Sequence, residues 1–191
     1  MKDKTSTKDL SLTSNERIFL EVKSIFRPKK YKNFNPQGLK IYTFNSGFKK
    51  KYKDLLIIIF DNLVNNYCVY SKTSTPSAPI LWDKKNNKGK SKALIVNSGN
   101  ANAHTGKKGL NIIENYTKKL SKIIKCKKNE ILVSSTGVIG EIFNPNKINS
   151  QIDNLLIQKT TDILDAAKTI MTTDTFPKIF IKKIKIDGET I

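Results

Sequence analysis

The sequence contains little of what metal centres, disulfide frameworks and membrane spans require. Its 191 residues include one histidine and two cysteines, and neither Cys68 nor Cys126 has a second ligand at metal-binding spacing. This composition argues against a multi-histidine metal site, a disulfide scaffold and a Ser-His-Asp triad. The longest apolar run, residues 55–60, has six residues, whereas a membrane-spanning helix needs roughly 18 to 20. We expect no metal, no disulfide and no membrane association.

The N-terminal segment is polar at first, rich in Lys, Ser and Thr, and has no sustained apolar period. A secretory signal needs an apolar core, and a transit peptide is rich in Arg and poor in acidic residues, so neither is indicated. We expect a cytoplasmic protein. Residues 1–30 are expected to form a mobile arm, and residues 31–191 a single α/β domain.

Charge of one sign dominates, because 35 Lys and Arg face 16 Asp and Glu and the formal net charge is +19. Basic proteins gain affinity for nucleic acids by releasing counterions from phosphate. However, only Arg17 and Arg27 carry the guanidinium fork that favours phosphate and base recognition. The abundance of Lys, Asn and Ile is typical of an AT-rich coding sequence. We therefore expect no nucleic-acid partner. A Lys-rich nucleic-acid-binding domain is the less favoured alternative.

Apolar patterns alternate between strand and helix along the chain. Strand patterns occur at residues 38–45, 55–60, 93–96 and 131–133. Helical spacing occurs at residues 110–124, 144–155 and 162–170. This order predicts an α/β fold whose mixed sheet is covered by helices on both sides. Residues 71–79, with their Ser, Thr and Pro, predict a loop over Trp82, and Thr160 or Thr161 is the candidate cap of the last helix.

The C-terminal residues predict a hairpin that is interrupted. Isoleucines alternate through residues 179–186, and Asp187-Gly188 is a strong hairpin-turn dipeptide. Only three residues follow it. Because a strand seldom keeps an unpaired edge in a natural domain, we expect a domain that is incomplete at its C-terminus.

Three segments rich in Ser, Thr, Asn and Gly follow predicted strands or a helix, at residues 97–106, 134–140 and 172–175. Such segments present backbone N–H groups toward negative charge. Gly137 and Gly140 permit positive φ, and Thr136 adds a hydroxyl donor beside the Gly137 amide. The pair Thr136 and Gly137 could hold the oxyanion of an acyl-transfer intermediate, although a Ser-Ser-Thr-Gly sequence after a strand is more often only a structural turn.

Taken together, these stretches resemble a known enzyme family. Residues 97–106 read NSGNANAHTG, residues 133–141 read VSSTGVIGE, and residues 170–178 read IMTTDTFPK. In order and separation they closely resemble signatures of the ornithine acetyltransferases, also called glutamate N-acetyltransferases, of arginine biosynthesis. The resemblance runs from about Gly38 to the end of the chain. It implies a layered, αββα-like sandwich.

The resemblance also implies a division of labour between two chains. Members of this family cut themselves autocatalytically before an internal threonine, which becomes the nucleophile at the start of a β chain. This sequence resembles the α-chain part only, so it holds no nucleophile, and its expected partner is the β chain, within a heterotetramer. A catalytically inactive truncated fragment that acts only as a partner-binding module is the alternative.

Site residues follow from the matching motifs. Thr136 and Gly137 match the family's oxyanion hole, and Thr173 matches a substrate-binding threonine. The implied substrates are N-acetylornithine and glutamate, and the chemistry requires neither metal nor cofactor. His104 stands where the family commonly has a small residue or Cys, so it is expected to be a structural or surface residue.

Overall fold

The computed structural model describes residues 36–181 together with the backbone of residues 185–186 and 189–190. The described residues belong to two compact units, and the boundary falls between Thr172 and Thr173. The predicted arm at residues 1–30 lies outside the described residues.

A four-stranded mixed sheet forms the centre of the larger unit. Its strands are β1 (Leu39–Phe44), β2 (Leu55–Asn65), β3 (Lys90–Asn100) and β4 (Ile131–Val138), in the order β1-β2-β3-β4. The first two pairings are antiparallel, whereas β3 and β4 run parallel. The run at residues 55–60 lies in an inner strand, which needs apolar side chains on both faces.

Helices cover both faces of this sheet. One face packs against α1 (Ala78–Asn86), α2 (Gly106–Ile123) and α3 (Asn146–Asp153), and the other against α4 (Ile163–Ile170). Within β2, Leu55 and Ile57 belong to the larger core, while Leu56 packs with Ala166 on the opposite side. This period of two places side chains alternately on the two faces. The predicted α/β class, with a mixed sheet between helices, is confirmed.

Residues 71–77 are irregular, as predicted, and helix α1 begins at Ala78, within the last two residues of the predicted loop. The sequence patterns did not indicate this helix. Pro79 occupies the first turn of the helix, where its missing N–H costs nothing and its fixed φ suits the helix. Trp82 belongs to the helix itself and is buried in the larger core. The start of the helix was missed because the Ser, Thr and Pro residues before it resemble the composition of an irregular segment.

The start of α4 also differs from the expectation. The side chain of Asp162, rather than Thr160 or Thr161, accepts the Asp165 N–H at 2.8 Å and caps the helix. The Thr161 N–H instead donates to the Ile41 carbonyl at 2.8 Å, which satisfies a group on the outer edge of β1.

In the smaller unit, β5 (Lys185–Ile186) pairs antiparallel with β6 (Glu189–Thr190). The pairing agrees with the predicted hairpin, whose turn residues 187–188 lie outside the described residues. Residues 179–181 are not part of a strand, so the first strand is shorter than the isoleucine pattern predicted.

Candidate active site

The carboxyl ends of the parallel strands β3 and β4 bring two of the predicted segments together. Their register pairs Ser98 with Thr136 and Gly99 with Gly137. Strand β4 continues to Val138, so Thr136 and Gly137 stand on the strand and not in the loop that the sequence predicted. Thr136 is half-buried and Gly137 is exposed. Polar groups at the carboxyl ends of parallel strands are well placed to meet a ligand.

Gly99 and Gly137 approach each other too closely for any side chain. A Cβ atom on Gly137 would lie 2.3 Å from the Gly99 carbonyl carbon and 2.6 Å from the Asn100 nitrogen. The φ angles of the two glycines, +104° and +132°, are rarely adopted by other residues. Close approach of the Gly99 backbone is the reason for glycine at position 137, whereas a Cβ atom on Gly99 would meet Phe48.

Asparagine side chains stabilise the turn that follows β3. The Asn97 amide is buried, donates to the Asn100 carbonyl at 2.8 Å, and accepts from the Ser135 hydroxyl at 2.6 Å. The Asn100 side chain accepts the Asn102 N–H at 2.8 Å. Asn102 has φ of +44°, a conformation that Asn tolerates better than most residues. The hydrogen bonds of these polar side chains stabilise the backbone conformation of the turn, so these groups are not available to a ligand.

Backbone hydrogen bonds then join this turn to the segment after β4. The Ala101 N–H donates to the Val138 carbonyl at 2.8 Å, and the Gly140 N–H donates to the Ala103 carbonyl at 2.9 Å. The Asn100 amide donates to the Glu141 carbonyl at 3.0 Å. The segments 97–106 and 134–140 therefore form one connected structure.

A buried carboxylate that sequence reasoning missed shapes the loop at residues 45–53. Asp54 is 0% exposed, and its two oxygens accept the backbone N–H groups of Ser46, Phe48 and Lys49 at 2.6, 2.7 and 2.8 Å. Three such bonds satisfy a buried charge. The available signal was an Asp placed shortly after the Asn45-Ser46-Gly47 turn and directly before a buried strand.

The same loop reaches the end of α4. Lys49 donates from its ammonium to the carbonyl oxygens of Thr169, at 3.0 Å, and Met171. Burial lowers the pKa of Lys49, and the negative charge of Asp54 acts in the opposite direction. A cation at the carbonyl end of a helix is favoured by the helix dipole.

A second buried carboxylate lies on α1. Asp83 accepts the Val133 N–H of β4 at 3.2 Å, and it is 8% exposed. Burial raises the pKa of Asp83 to about 7, although the hydrogen bond from Val133 opposes the shift. Burial also raises the pKa of Tyr116, with a smaller contribution from Asp83. Strand β4 has no strand neighbour beyond it in the described sheet, so Asp83 satisfies a group on its outer edge.

The remaining predicted residues are placed more simply. His104 is exposed and has φ of +55°, which agrees with the expected surface role. Thr173 is exposed and is the first residue of the smaller unit's C-terminal segment. In residues 36–181 no group of three or more His, Cys, Asp or Glu side chains could hold a metal ion. None of the helices described is long and apolar enough to cross a membrane.

Comparisons with known proteins agree with the motifs. A sequence profile of the ArgJ family matches residues 40–191. The chain is 37% identical over 175 residues to the arginine biosynthesis bifunctional protein ArgJ of Bartonella henselae, covering 90% of this chain and 43% of that protein. It is 40% identical over 152 residues to the ArgJ of Bradyrhizobium diazoefficiens, covering 78% and 37% respectively. The chain thus spans about two-fifths of the length of these relatives.

Solved structures share the fold. The ArgJ crystal structure from Bacillus halodurans superposes with a TM-score of 0.71 at 28% identity, covering 81% of this chain and 83% of that one. The ornithine acetyltransferase of Mycobacterium tuberculosis, solved in complex with ornithine, has a TM-score of 0.67 at 24% identity, covering 73% and 78%. With the family profile matching residues 40–191 and the fold shared with these structures, the chain belongs to the ArgJ family.

Proposed function

We propose that this chain is the α-chain part of a glutamate N-acetyltransferase, which moves an acetyl group from N-acetylornithine to glutamate in arginine biosynthesis. The observation that carries the proposal is the juxtaposition of Gly99 and Gly137 at the ends of two parallel strands, with Thr136 beside them. It supports a backbone specialised for close approach, in which an amide and a hydroxyl can face a developing negative charge.

The proposed two-chain organisation has support in chain length. The chain covers about two-fifths of the length of its curated relatives. Its superposition on the solved Bacillus halodurans chain, in contrast, includes 81% of this chain and 83% of that one. An ArgJ chain of about this size therefore exists in a solved structure. We propose that the nucleophile is supplied by the N-terminal threonine of a β chain.

In the first half of the proposed reaction, the α-amine of the β-chain threonine removes the proton from its own hydroxyl. The hydroxyl oxygen attacks the acetyl carbonyl carbon of N-acetylornithine. The Thr136 hydroxyl and the Gly137 N–H stabilise the resulting oxyanion. Collapse breaks the C–N bond, the departing amine takes the proton, and ornithine leaves behind an acetyl-threonine ester.

In the second half, the amine of glutamate attacks the ester carbonyl. The same two donors stabilise the second oxyanion. Collapse breaks the C–O bond, the threonine oxygen recovers a proton that the amine gives up, and N-acetylglutamate leaves. The threonine is regenerated, and the resemblance implies that neither half requires a metal or cofactor. We assign Thr173 to substrate binding.

Reconstitution tests the proposal. Residues 1–191 are assayed with N-acetylornithine and glutamate, alone and after co-expression with the part of Bartonella henselae ArgJ that this chain does not cover. We expect transfer only in the co-expressed complex, because the nucleophile lies on the second chain. Transfer by the chain alone would contradict the assignment, and a stable complex without transfer would favour the inactive binding module.

Substitution of Thr136 tests the site within that complex. Thr136→Ala should lower kcat by roughly 10²-fold or more, because losing one preorganised donor costs on the order of 3 kcal/mol at the transition state. Thr173→Ala should instead raise KM more than it lowers kcat, since a binding hydroxyl contacts ground and transition states alike. Thr160→Ala, at an exposed position, is the matched control and should retain both constants.

A further inference from the structure

We propose that Phe48 is a positioning residue for the Thr136 and Gly137 pair, acting through Gly99. The inference rests on the proposed function, because it concerns the amide that we assign to the oxyanion hole. Phe48 occupies the place of the side chain that Gly99 lacks. A Cβ atom on Gly99 would lie 2.9 Å from the Phe48 Cβ and 3.2 Å from its carbonyl carbon.

The contact continues to the proposed oxyanion hole. The Gly99 peptide in turn occupies the place of the missing Gly137 side chain, at 2.3 Å from the position of a Cβ atom. Phe48, Gly99 and Gly137 therefore form three successive layers of backbone. A displacement of the first layer is passed to the third, because close-packed atoms leave no void to absorb it.

Phe48 is itself held from both ends. Its N–H donates to the buried Asp54 carboxylate at 2.7 Å. Its ring packs edge-to-face on Phe143, with ring centroids 4.9 Å apart, and the Lys147 ammonium lies 5.0 Å from its centroid. Lys147 also donates to the Gly47 carbonyl at 2.8 Å, which fixes the adjacent backbone. Aromatic pairing and cation–π attraction give this ring a defined position.

The two glycines need such support. At φ of +104° and +132° they adopt backbone conformations that no side chain of their own restrains. An oxyanion donor must stay within about 0.5 Å of its productive place. Phe48 supplies the restraint that a Cβ atom on Gly99 would otherwise give, while leaving the backbone free to pass close to Gly137.

Order parameters measured by ¹⁵N relaxation on residues 1–191 test the positional part without any activity. In Phe48→Ala the ring anchors to Phe143 and Lys147 are lost, so the order parameters of the Gly99 and Gly137 amides should fall. Phe48→Leu, which keeps an apolar anchor, should restore them in part. Ile152→Ala, which truncates a fully buried residue on α3, is the control for lost stability and should leave both amides unchanged.

Kinetics in the co-expressed complex test the catalytic part. Phe48→Ala should lower kcat about tenfold while KM stays within about twofold, because a small misplacement of a donor weakens only the transition state. Phe48→Leu should recover much of that loss, and Ile152→Ala should retain kcat. Unchanged order parameters at Gly137, or normal kcat in an active Phe48→Ala complex, would overturn the inference. A wild-type complex without transfer would instead overturn the proposed function.

Discussion

The Ser98 hydroxyl donates a hydrogen bond of 2.5 Å to the carbonyl oxygen of Thr169, 71 positions later in the chain. Lys49 donates to the same oxygen from the loop before β2. The end of α4 is thereby attached to the carboxyl end of β3, three positions before the larger unit ends at Thr172. Ser98 belongs to the segment 97–106, whose composition suggests ligand binding. Its hydroxyl nevertheless stabilises the fold by bonding the Thr169 carbonyl.

The first prediction concerns this attachment. Ser98→Ala removes one of two side-chain donors to a buried carbonyl, and Lys49 remains to satisfy it. We expect the free energy of unfolding to fall by about 1 kcal/mol, in the range of a single net hydrogen bond. Urea unfolding followed by circular dichroism measures the change.

Ser150→Ala is the matched control for Ser98→Ala. Its hydroxyl also donates to a backbone carbonyl, that of Asn146 at 2.8 Å, but it is exposed on α3. Water replaces that bond at little cost, so a change of less than about 0.5 kcal/mol is expected. Equal losses in the two variants would contradict a special role for the Ser98 contact.

The second prediction concerns pH and Asp83. Its pKa of about 7 in the folded chain lies above the ordinary value of 3.8. Between these two values the Asp83 carboxyl therefore holds its proton in the folded state and loses it in the unfolded state. Stability from this group is complete below about pH 4 and is lost as the pH rises through 7. Asp83→Asn should remove this dependence on pH. The free energy of unfolding of the variant, minus that of the wild type, should therefore rise by on the order of 2 kcal/mol between pH 5 and pH 8.

Urea unfolding at a series of pH values decides the Asp83 prediction. Asp153→Asn, at an exposed residue paired with Lys119, controls for the loss of one negative charge from a basic protein. Because exposed pairs contribute little, its difference from the wild type should stay nearly constant over the same range. A flat difference for Asp83→Asn would show that the carboxyl ionises without a cost in folding.

How far the sequence predicts this fold can be judged from particular residues. Local apolar periodicity was enough for β1 and α4, whose observed limits lie within two residues of the predicted ones. It gave no sign of α1, because the packing of Trp82 and not local composition forms that helix. It could not find Asp54 as the organiser of a loop, since three backbone N–H groups meet its carboxylate only in the folded chain.

The candidate site divides in the same way. Thr136 and Gly137 were found by resemblance, whereas their juxtaposition with Ser98 and Gly99 follows from the parallel register of β3 and β4, which the sequence patterns did not specify. Phe48 carried no signal, because its importance depends on a contact with Gly99 across 51 residues of sequence. A glycine in the sequence suggests that another part of the chain passes close to it, but only the tertiary structure shows which part.

The third prediction concerns Gly109, in the first turns of α2. Replacing a helical Gly by Ala ordinarily stabilises a helix by about 1 kcal/mol. Here a Cβ atom would lie 2.0 Å from the Thr105 hydroxyl oxygen and 2.5 Å from the Asn102 side-chain oxygen. Those side chains are buried and hydrogen-bonded to each other at 2.8 Å, so they cannot easily move. Gly109→Ala should reverse the usual sign.

We expect Gly109→Ala to lower the free energy of unfolding by about 1 to 3 kcal/mol, as overpacking does. Asn111→Ala, at an exposed position two residues later on the same helix, should be neutral or slightly stabilising. Thermal unfolding of the two variants measures the contrast. A stabilised Gly109→Ala would mean that the turn at residues 102–105 adjusts without cost.

The last prediction concerns Gly137, near the end of β4, and Gly140, just after that strand, which differ in their surroundings. Gly137 and Gly140 both have positive φ, at +132° and +86°. A Cβ atom on Gly140 meets no other atom within 4 Å, whereas on Gly137 it would overlap the Gly99 backbone at 2.3 Å. Gly140→Ala should therefore cost only backbone strain, about 1 to 2 kcal/mol. Gly137→Ala should cost at least about 4 kcal/mol, because β3 and β4 must separate to admit the methyl group. Chemical unfolding measures both costs, and near-equal losses would show that φ strain, and not the close approach of the two strands, is what requires glycine at position 137.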